Sequence, residues 1–182
     1  MRHLLFKALI LIFIAGCASL PARKEIPAGA RIIEGVPLYK QRAYECGPAA
    51  LASVLGYWQK RAGISNIVTP DEISSEIYSK GARGALGLDL LLYARKRGVT
   101  ATHYPGGIND LKKKIDEGVP PVILVDFGNI LYQANHFITV VGYAGEGIIV
   151  HSGTGREFIL WEDILKPWGK TGFWTLVIKP SE

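Results

Sequence analysis

The sequence is poor in the residues that cross-link small proteins or bind metals. It has 2 cysteines and 4 histidines among 182 residues, and none of them has the spacing of a metal-binding motif. Two cysteines allow one disulfide at most, which excludes a small disulfide-stabilised scaffold. The apolar run Ala8–Gly16 is nine residues long, too short for a helix that crosses a membrane. No glycine-rich phosphate-binding loop is present.

The excess of positive charge is also small. The formal net charge is +5, and 48% of the residues are hydrophobic, which is typical of one globular domain and excludes a disordered chain. Arg2 and Lys7 lie in the N-terminal segment, and without that segment the net charge falls to +3. Nucleic acid is therefore not an expected partner.

The first residues have the pattern of a secretion signal. Arg2 and Lys7 precede the apolar run, and small residues end it. Ile14–Cys17 resembles the lipobox of bacterial lipoproteins, in which an apolar residue and two small residues precede the cysteine. The resemblance implies that Cys17 is acylated and becomes the new N-terminus, and Ala18 after it implies delivery to the outer membrane. An ordinary signal peptide and an uncleaved anchor are the alternatives.

Three segments follow from this interpretation. Residues 1–16 form the signal peptide, and residues 17–35, which mix proline, alanine, glycine and charge without a period, form the lipidated N-terminus and a tether. Residues 36–182 form the folded domain. With Cys17 assigned to lipid, we expect no disulfide.

Hydrophobic periodicity in the domain predicts helices first and strands afterwards. The helices are predicted at 46–59, 69–79, 88–97 and 109–117, with a helical turn at 161–165. The strands are predicted at 36–39 (a short edge strand), 99–103, 122–127, 137–143, 147–151, 157–160 and 173–179. This order indicates an α+β fold in which N-terminal helices pack on a C-terminal antiparallel sheet.

A cysteine and a histidine occupy positions that are typical of catalytic residues. Cys46 begins the longest predicted helix, whose positive N-terminus is expected to lower the thiol pKa. His136 begins an apolar strand, from whose end its side chain can reach a cleft. By residue type alone, the alternative is a buried small cysteine and a hydrogen-bonded core histidine.

Two sequence motifs favour the catalytic interpretation of Cys46 and His136 over the structural one. Glu45–Ala52, preceded by Gln41, and Asn135–Tyr143 resemble the bacteriocin-processing, double-glycine family of papain-like cysteine peptidases, in particular its stand-alone Gram-negative lipoproteins. The resemblance covers essentially the whole domain and implies a papain-like fold and a peptide substrate, with no metal or other cofactor. It also implies that Cys46 is the nucleophile, that His136 is its general base, and that Gln41 donates to the oxyanion.

One departure from that family lies after the strand that follows the histidine. Typical members have an aspartate there to orient the imidazole, but residues 150–154 contain no carboxylate. Ser152 occupies the expected position, so its hydroxyl or its backbone carbonyl is the candidate acceptor for the His136 ring. His151 is an alternative orienting residue, although strand alternation allows only one of the two to face the cleft.

The sequence therefore predicts a lipid-anchored cysteine peptidase of the bacterial cell envelope, facing the periplasm. The alternative is a peptide-binding lipoprotein on the same scaffold with weak or no catalysis, since the third carboxylate is missing. An amide transferase or deamidase that uses the same two residues is a third hypothesis. The segment Asp126–Asn135 is either a wall of the substrate groove or an ordinary connection between strands.

Overall fold

The computed structural model describes residues 25–153 and 155–181. In this part of the chain the elements are, in order, β1 (Arg31–Ile32), α1 (Cys46–Arg61), α2 (Pro70–Ile77), α3 (Gly87–Lys96), β2 (Val99–Pro105), α4 (Ile108–Asp116), β3 (Val122–Asp126), β4 (Asn135–Ala144), β5 (Gly147–His151), β6 (Arg156–Leu160), α5 (Trp161–Gly169) and β7 (Trp174–Pro180). The predicted signal peptide and Cys17 lie outside the described residues.

The helix starts follow from local sequence chemistry. α2 begins with a capping box, in which the Thr69 hydroxyl accepts from the Glu72 N–H while the Glu72 side chain accepts from the Thr69 N–H. Pro70 occupies the first helical position, where a missing N–H costs nothing. α1 has no such side-chain cap. It is held instead by burial, since Leu51, Ala52 and their neighbours are almost wholly enclosed.

The described strands form one antiparallel sheet in the order β2-β7-β3-β4-β5-β6. β1 pairs with the far end of β4, where Arg31 is opposite Tyr143. β4 is the longest of these strands and lies between β3 and β5 along much of its length. His136 therefore lies near one end of β4, and the pairing with β1 lies near the other.

Helices cover both faces of the sheet. Alternate residues of β3 reach two different cores, because successive side chains of a strand point to opposite faces. Val122 packs with α1, α2 and α3, and Ile123 packs with α4 and α5. The α+β class and the papain-like order of helices before the main sheet are confirmed, and α4 and α5 add a layer on the second face.

The start of the domain differs from the sequence-based prediction. No strand forms at 36–39, so the predicted edge strand is wrong. Pro37 has no N–H to donate to a strand ladder, and the strand that joins the sheet is β1, farther upstream. Ile33 is buried in the core and donates its N–H to the Val141 carbonyl at 2.7 Å. The fold thus includes residues that the sequence assigns to the tether.

Candidate active site

Cys46 is the first residue of α1. Pro48 suits the first turn because a first-turn N–H has no partner within the helix. Gly47 allows this turn to pack closely, since a Cβ at residue 47 would lie 3.3 Å from a ring carbon of Phe137 and 3.2 Å from a methyl group of Leu90. The start of α1 is therefore held against β4 and α3.

The Cys46 sulfur is both buried and hydrogen-bonded. Burial raises the pKa of the thiol above its ordinary value, while hydrogen bonds from the backbone N–H groups of Phe137, Gly47 and Cys46 itself lower it. Burial has the larger effect, because desolvation penalises the thiolate more than these donors stabilise it. The expectation of a lowered thiol pKa at this helix N-terminus is therefore wrong for the resting protein.

His136 is the second residue of β4 and is half-buried. Burial lowers the pKa of its imidazole, while the Ser152 backbone carbonyl, which accepts from the ring, and the negative charge of Glu157 both raise it. The net direction is downward, so the imidazole is neutral near pH 7 and able to take a proton. Its neighbour Phe137 is the residue whose N–H reaches the Cys46 sulfur. The backbone of β4 next to His136 thus lies at the Cys46 sulfur.

Ser152 contacts two partners with different groups. Its backbone carbonyl is the acceptor for His136, and its hydroxyl donates to Oε1 of Glu157 at 2.7 Å. Of the two acceptors that the sequence left open, the structure uses the carbonyl. Glu157 was not among the predicted site residues. An acidic side chain in an otherwise apolar strand just after the 152–155 turn was the available signal.

His151 does not serve His136. It is 5% exposed, and the backbone carbonyl of Pro37 accepts from its ring. Its Nδ1 atom has no hydrogen-bond partner among the described residues. The alternative in which His151 orients the catalytic imidazole is therefore not the arrangement that the structure shows.

Gln41 lies against the turn that follows β5. Gly153 has a φ of +89°, and a Cβ at this position would collide with the Gln41 side chain. Only glycine combines that left-handed backbone with so close an approach. Gln41 thus contacts the residue that follows Ser152.

A cleft of about 150 Å³ opens beside Cys46. Small residues form much of one wall, and β3 and β4 supply the other; the lining includes Ala82, Gly84, Ala85, Gly87, Leu124 and Asn135. The small residues leave little space beside the Cys46 sulfur.

Two side chains fix the rim of this cleft. Arg83 donates to the Tyr44 hydroxyl at 2.7 Å, and its guanidinium lies 4.9 Å from the centre of the Tyr44 ring. Both residues have positive φ, 67° for Tyr44 and 50° for Arg83. This left-handed backbone is uncommon outside glycine and aims both side chains over the opening.

The segment between β3 and β4 is a hairpin turn with an apolar tip. The Asp126 carboxylate accepts from the N–H groups of Gly128 and Ala134, each at 2.8 Å, and so closes the base of the turn. Ile130 is 100% exposed and Leu131 is 88% exposed. The segment is an ordered strand connection whose last residue, Asn135, lines the cleft.

Neither a metal centre nor a membrane helix is found in the described ranges. Residues 25–153 and 155–181 contain no cluster of three or more side chains able to hold a metal ion. Within the same residues, no helix has both the length and the apolar character needed to cross a bilayer.

A helix that begins with cysteine, packed against a sheet strand with a histidine near its start, is the architecture of papain-like cysteine peptidases. A family model described as the Peptidase_C39-like family matches residues 33–172, and the chain belongs to this family. No protein in the curated set matches the chain.

Solved structures share the fold. The peptidase domain of Streptococcus ComA, a bifunctional ABC transporter involved in a quorum-sensing pathway, superposes with a TM-score of 0.63 at 21% identity, covering 80% of this chain and 99% of that one. A double-glycine motif protease from an AMS/PCAT transporter, in complex with the leader peptide, gives 0.61 at 26% identity, covering 84% and 99%. A Bacillus anthracis protein named as a C39-like peptidase gives 0.62 at 18% identity, covering 84% and 98%.

Proposed function

We propose that the protein is a cysteine peptidase that hydrolyses peptide bonds through an acyl-enzyme on Cys46. One observation carries the proposal. The backbone N–H of Phe137 reaches the Cys46 sulfur, while the preceding residue, His136, is held by the Ser152 carbonyl. These contacts support the assignment of Cys46 as nucleophile, His136 as base and the Ser152 carbonyl as the group that orients the base.

The reaction begins when His136 takes the Cys46 proton as the sulfur attacks the carbonyl carbon of the substrate. The resulting oxyanion accepts hydrogen bonds from the Cys46 backbone N–H and the Gln41 side-chain amide, and such a donor contributes about 3 kcal/mol. The imidazolium then gives its proton to the leaving amine, and the C–N bond breaks. Water, deprotonated by His136, hydrolyses the thioester and restores the thiol.

The pKa shifts of Cys46 and His136 define the protonation state of the resting protein. Burial raises the pKa of Cys46 and lowers that of His136, so both groups are neutral near pH 7. Proton transfer therefore accompanies attack on the substrate. We expect a thiol that alkylates slowly at neutral pH and faster as pH rises.

The shape of the cleft supports an extended peptide substrate with small residues, such as Gly-Gly, before the scissile bond. The wall formed by Ala82–Gly87 leaves little space beside Cys46. The AMS/PCAT relative holds a leader peptide, which supports a peptide ligand for this chain. The apolar tip at Ile130 and Leu131 offers a contact for a more distant part of the substrate.

We also propose that acylated Cys17 anchors the protein to the outer membrane with its domain in the periplasm. The support is the lipobox-like sequence Ile14–Cys17, with Ala18 after it.

A peptide-binding protein without turnover is the second candidate. The observation that favours it is that the acceptor for the His136 ring is a neutral carbonyl, which stabilises an imidazolium less than a carboxylate does. In this case the cleft binds peptide while Cys46 remains unmodified.

Turnover of a synthetic peptide separates the two functions. The full chain in detergent is incubated with a Gly-Gly peptide that carries a fluorophore and a quencher, beside Cys46→Ala and His136→Ala variants. We expect cleavage by the wild-type protein alone and binding of the peptide by Cys46→Ala. Binding by all three proteins without any cleavage would establish the second candidate instead.

A further inference from the structure

Residues 150–154 contain no carboxylate to orient His136, but β6, the strand that follows Ser152, carries one. Glu157 lies opposite Val150 in the β5–β6 pairing, and the 152–155 turn joins these strands. The Ser152 hydroxyl donates to Glu157 of β6 at 2.7 Å. A carboxylate thus stands directly behind the residue that holds His136.

Two backbone features lie next to this hydrogen bond. The Ser152 N–H donates to the Gly155 carbonyl at 3.3 Å, and Gly153 takes its left-handed conformation against Gln41. The Ser152 carbonyl accepts from the His136 ring, while the hydroxyl of the same residue donates to Glu157.

The charge that acts on His136 comes from Glu157 on β6. Arg156, next to Glu157 in sequence, pairs instead with Glu34 at 3.2 Å, because alternate residues of a strand point to opposite faces. Arg156 acts on His151.

We propose that Glu157 is a positioning residue for catalysis, which supplies through Ser152 the negative charge that an aspartate beside the histidine supplies in typical members of the family. This inference rests on the proposed function of Cys46 and His136. Glu157 takes no part in the proton transfers between Cys46, His136 and the substrate. Its carboxylate stabilises the imidazolium that forms when His136 accepts the thiol proton, and it fixes the carbonyl that selects the imidazole tautomer.

The direct test is the titration of His136, which needs no turnover. The imidazole signals of the full chain in detergent are followed by NMR against pH in wild type, Glu157→Gln and Glu157→Asp. Glutamine keeps the acceptor for the Ser152 hydroxyl but removes the charge. We expect the His136 titration to fall by about half a pH unit in Glu157→Gln and to recover in Glu157→Asp.

Glu34→Gln is the matched control, because it removes a carboxylate whose charge acts on His151. We expect it to move the titration of His151 and leave that of His136 in place. An unchanged His136 titration in Glu157→Gln would overturn the proposal, whether or not the protein cleaves peptides.

Kinetics provides the second readout. We expect Glu157→Gln to lower kcat about tenfold with KM changed less than twofold, and Glu157→Asp to recover most of the loss. A loss of kcat in both variants together with an unshifted His136 titration would show a merely structural role. Failure of the wild type to cleave any probe would contradict the proposed peptidase while leaving the titration test intact.

Discussion

His136 and His151 make a natural comparison, because they lie on neighbouring strands and burial lowers the pKa of both. A backbone carbonyl accepts from each ring, Ser152 for His136 and Pro37 for His151. Their charged neighbours differ. Glu157 raises the pKa of His136, whereas His151 has both Arg156, which lowers its pKa, and Glu34, which raises it to a smaller extent.

The comparison shows that burial alone does not make a histidine a catalytic base. A base must be neutral at rest and become charged during the reaction, so it needs an environment that tolerates the imidazolium. His136 has that environment, and its two sequence neighbours, Asn135 and Phe137, line the cleft beside Cys46. His151 has a cationic neighbour and an unpaired Nδ1 among the described residues, and the cation disfavours its imidazolium.

Substituting each histidine gives the largest expected contrast. His136→Ala should lower kcat about 1000-fold, because the thiol loses its base. His151→Leu should leave kcat within about threefold of wild type and lower the free energy of unfolding, since the Pro37 carbonyl loses its donor at a cost of about 1–3 kcal/mol. Peptide cleavage and urea unfolding of both variants test this pair. Equal losses of kcat would remove the distinction between the two sites.

Gly153→Ala tests the turn that serves only His136. The new Cβ would collide with Gln41 at a backbone angle that favours glycine, so Gln41 and the Ser152 carbonyl should both move. We expect kcat to fall about 10- to 100-fold and a destabilisation of about 1–3 kcal/mol. Gly145→Ala, at a position where a Cβ meets nothing within 4 Å, is the control. Wild-type kcat in Gly153→Ala would argue against the assigned roles of Gln41 and Ser152.

The pH dependence of stability sharpens the comparison further. Both histidines have a folded-state pKa below the ordinary value, so the unfolded chain binds protons first as pH falls below about 6.5. Their contribution to stability is present above that pH and is lost as pH falls through the unfolded pKa towards the folded one. Urea unfolding between about pH 7 and pH 5 should show a smaller loss of stability in His151→Leu than in wild type. The same loss in both proteins would refute the direction assigned to His151.

The smallest effect on kcat and on stability is expected at the tip of the β3–β4 hairpin. Because Ile130 and Leu131 are almost fully exposed, changing both to serine should alter the free energy of unfolding by less than about 0.5 kcal/mol. We expect a several-fold rise in KM with little change in kcat, since the tip would contact substrate away from the reacting atoms. Steady-state kinetics on a long and a truncated peptide measures this. An equal KM for wild type and variant on the long peptide would leave the hairpin a plain connection.

Local signals in the sequence were sufficient for most of the fold. The apolar spacing after Cys46 predicted a helix at 46–59, and the helix observed is Cys46–Arg61. Gly147–His151 was predicted with the bounds that the structure has. The predicted strand at 36–39 is wrong because the pairing that orders this region joins Arg31 to Tyr143, a contact over more than 100 residues that no local pattern carries.

The candidate site, like the fold, was predictable from the sequence only in part. Cys46 and His136 stand out because each begins an element with a strong pattern, and their pairing followed from a family resemblance. Glu157 was missed because its role depends on the register of β5 with β6 and on the direction of the Ser152 carbonyl. The sign of the Cys46 pKa shift was missed for a related reason. A helix start is visible in a sequence, whereas the degree of burial that outweighs it is a property of the packed fold.

Trapping the acyl-enzyme tests the central claim most directly. The full chain in detergent is mixed with a Gly-Gly peptide, quenched in acid within a single turnover, digested and mapped by mass spectrometry. The account predicts the N-terminal half of the peptide as a thioester on Cys46 in the wild-type protein, and none in Cys46→Ala or His136→Ala. Cleavage of the peptide without any adduct on Cys46, or equal cleavage by Cys46→Ala, would contradict it.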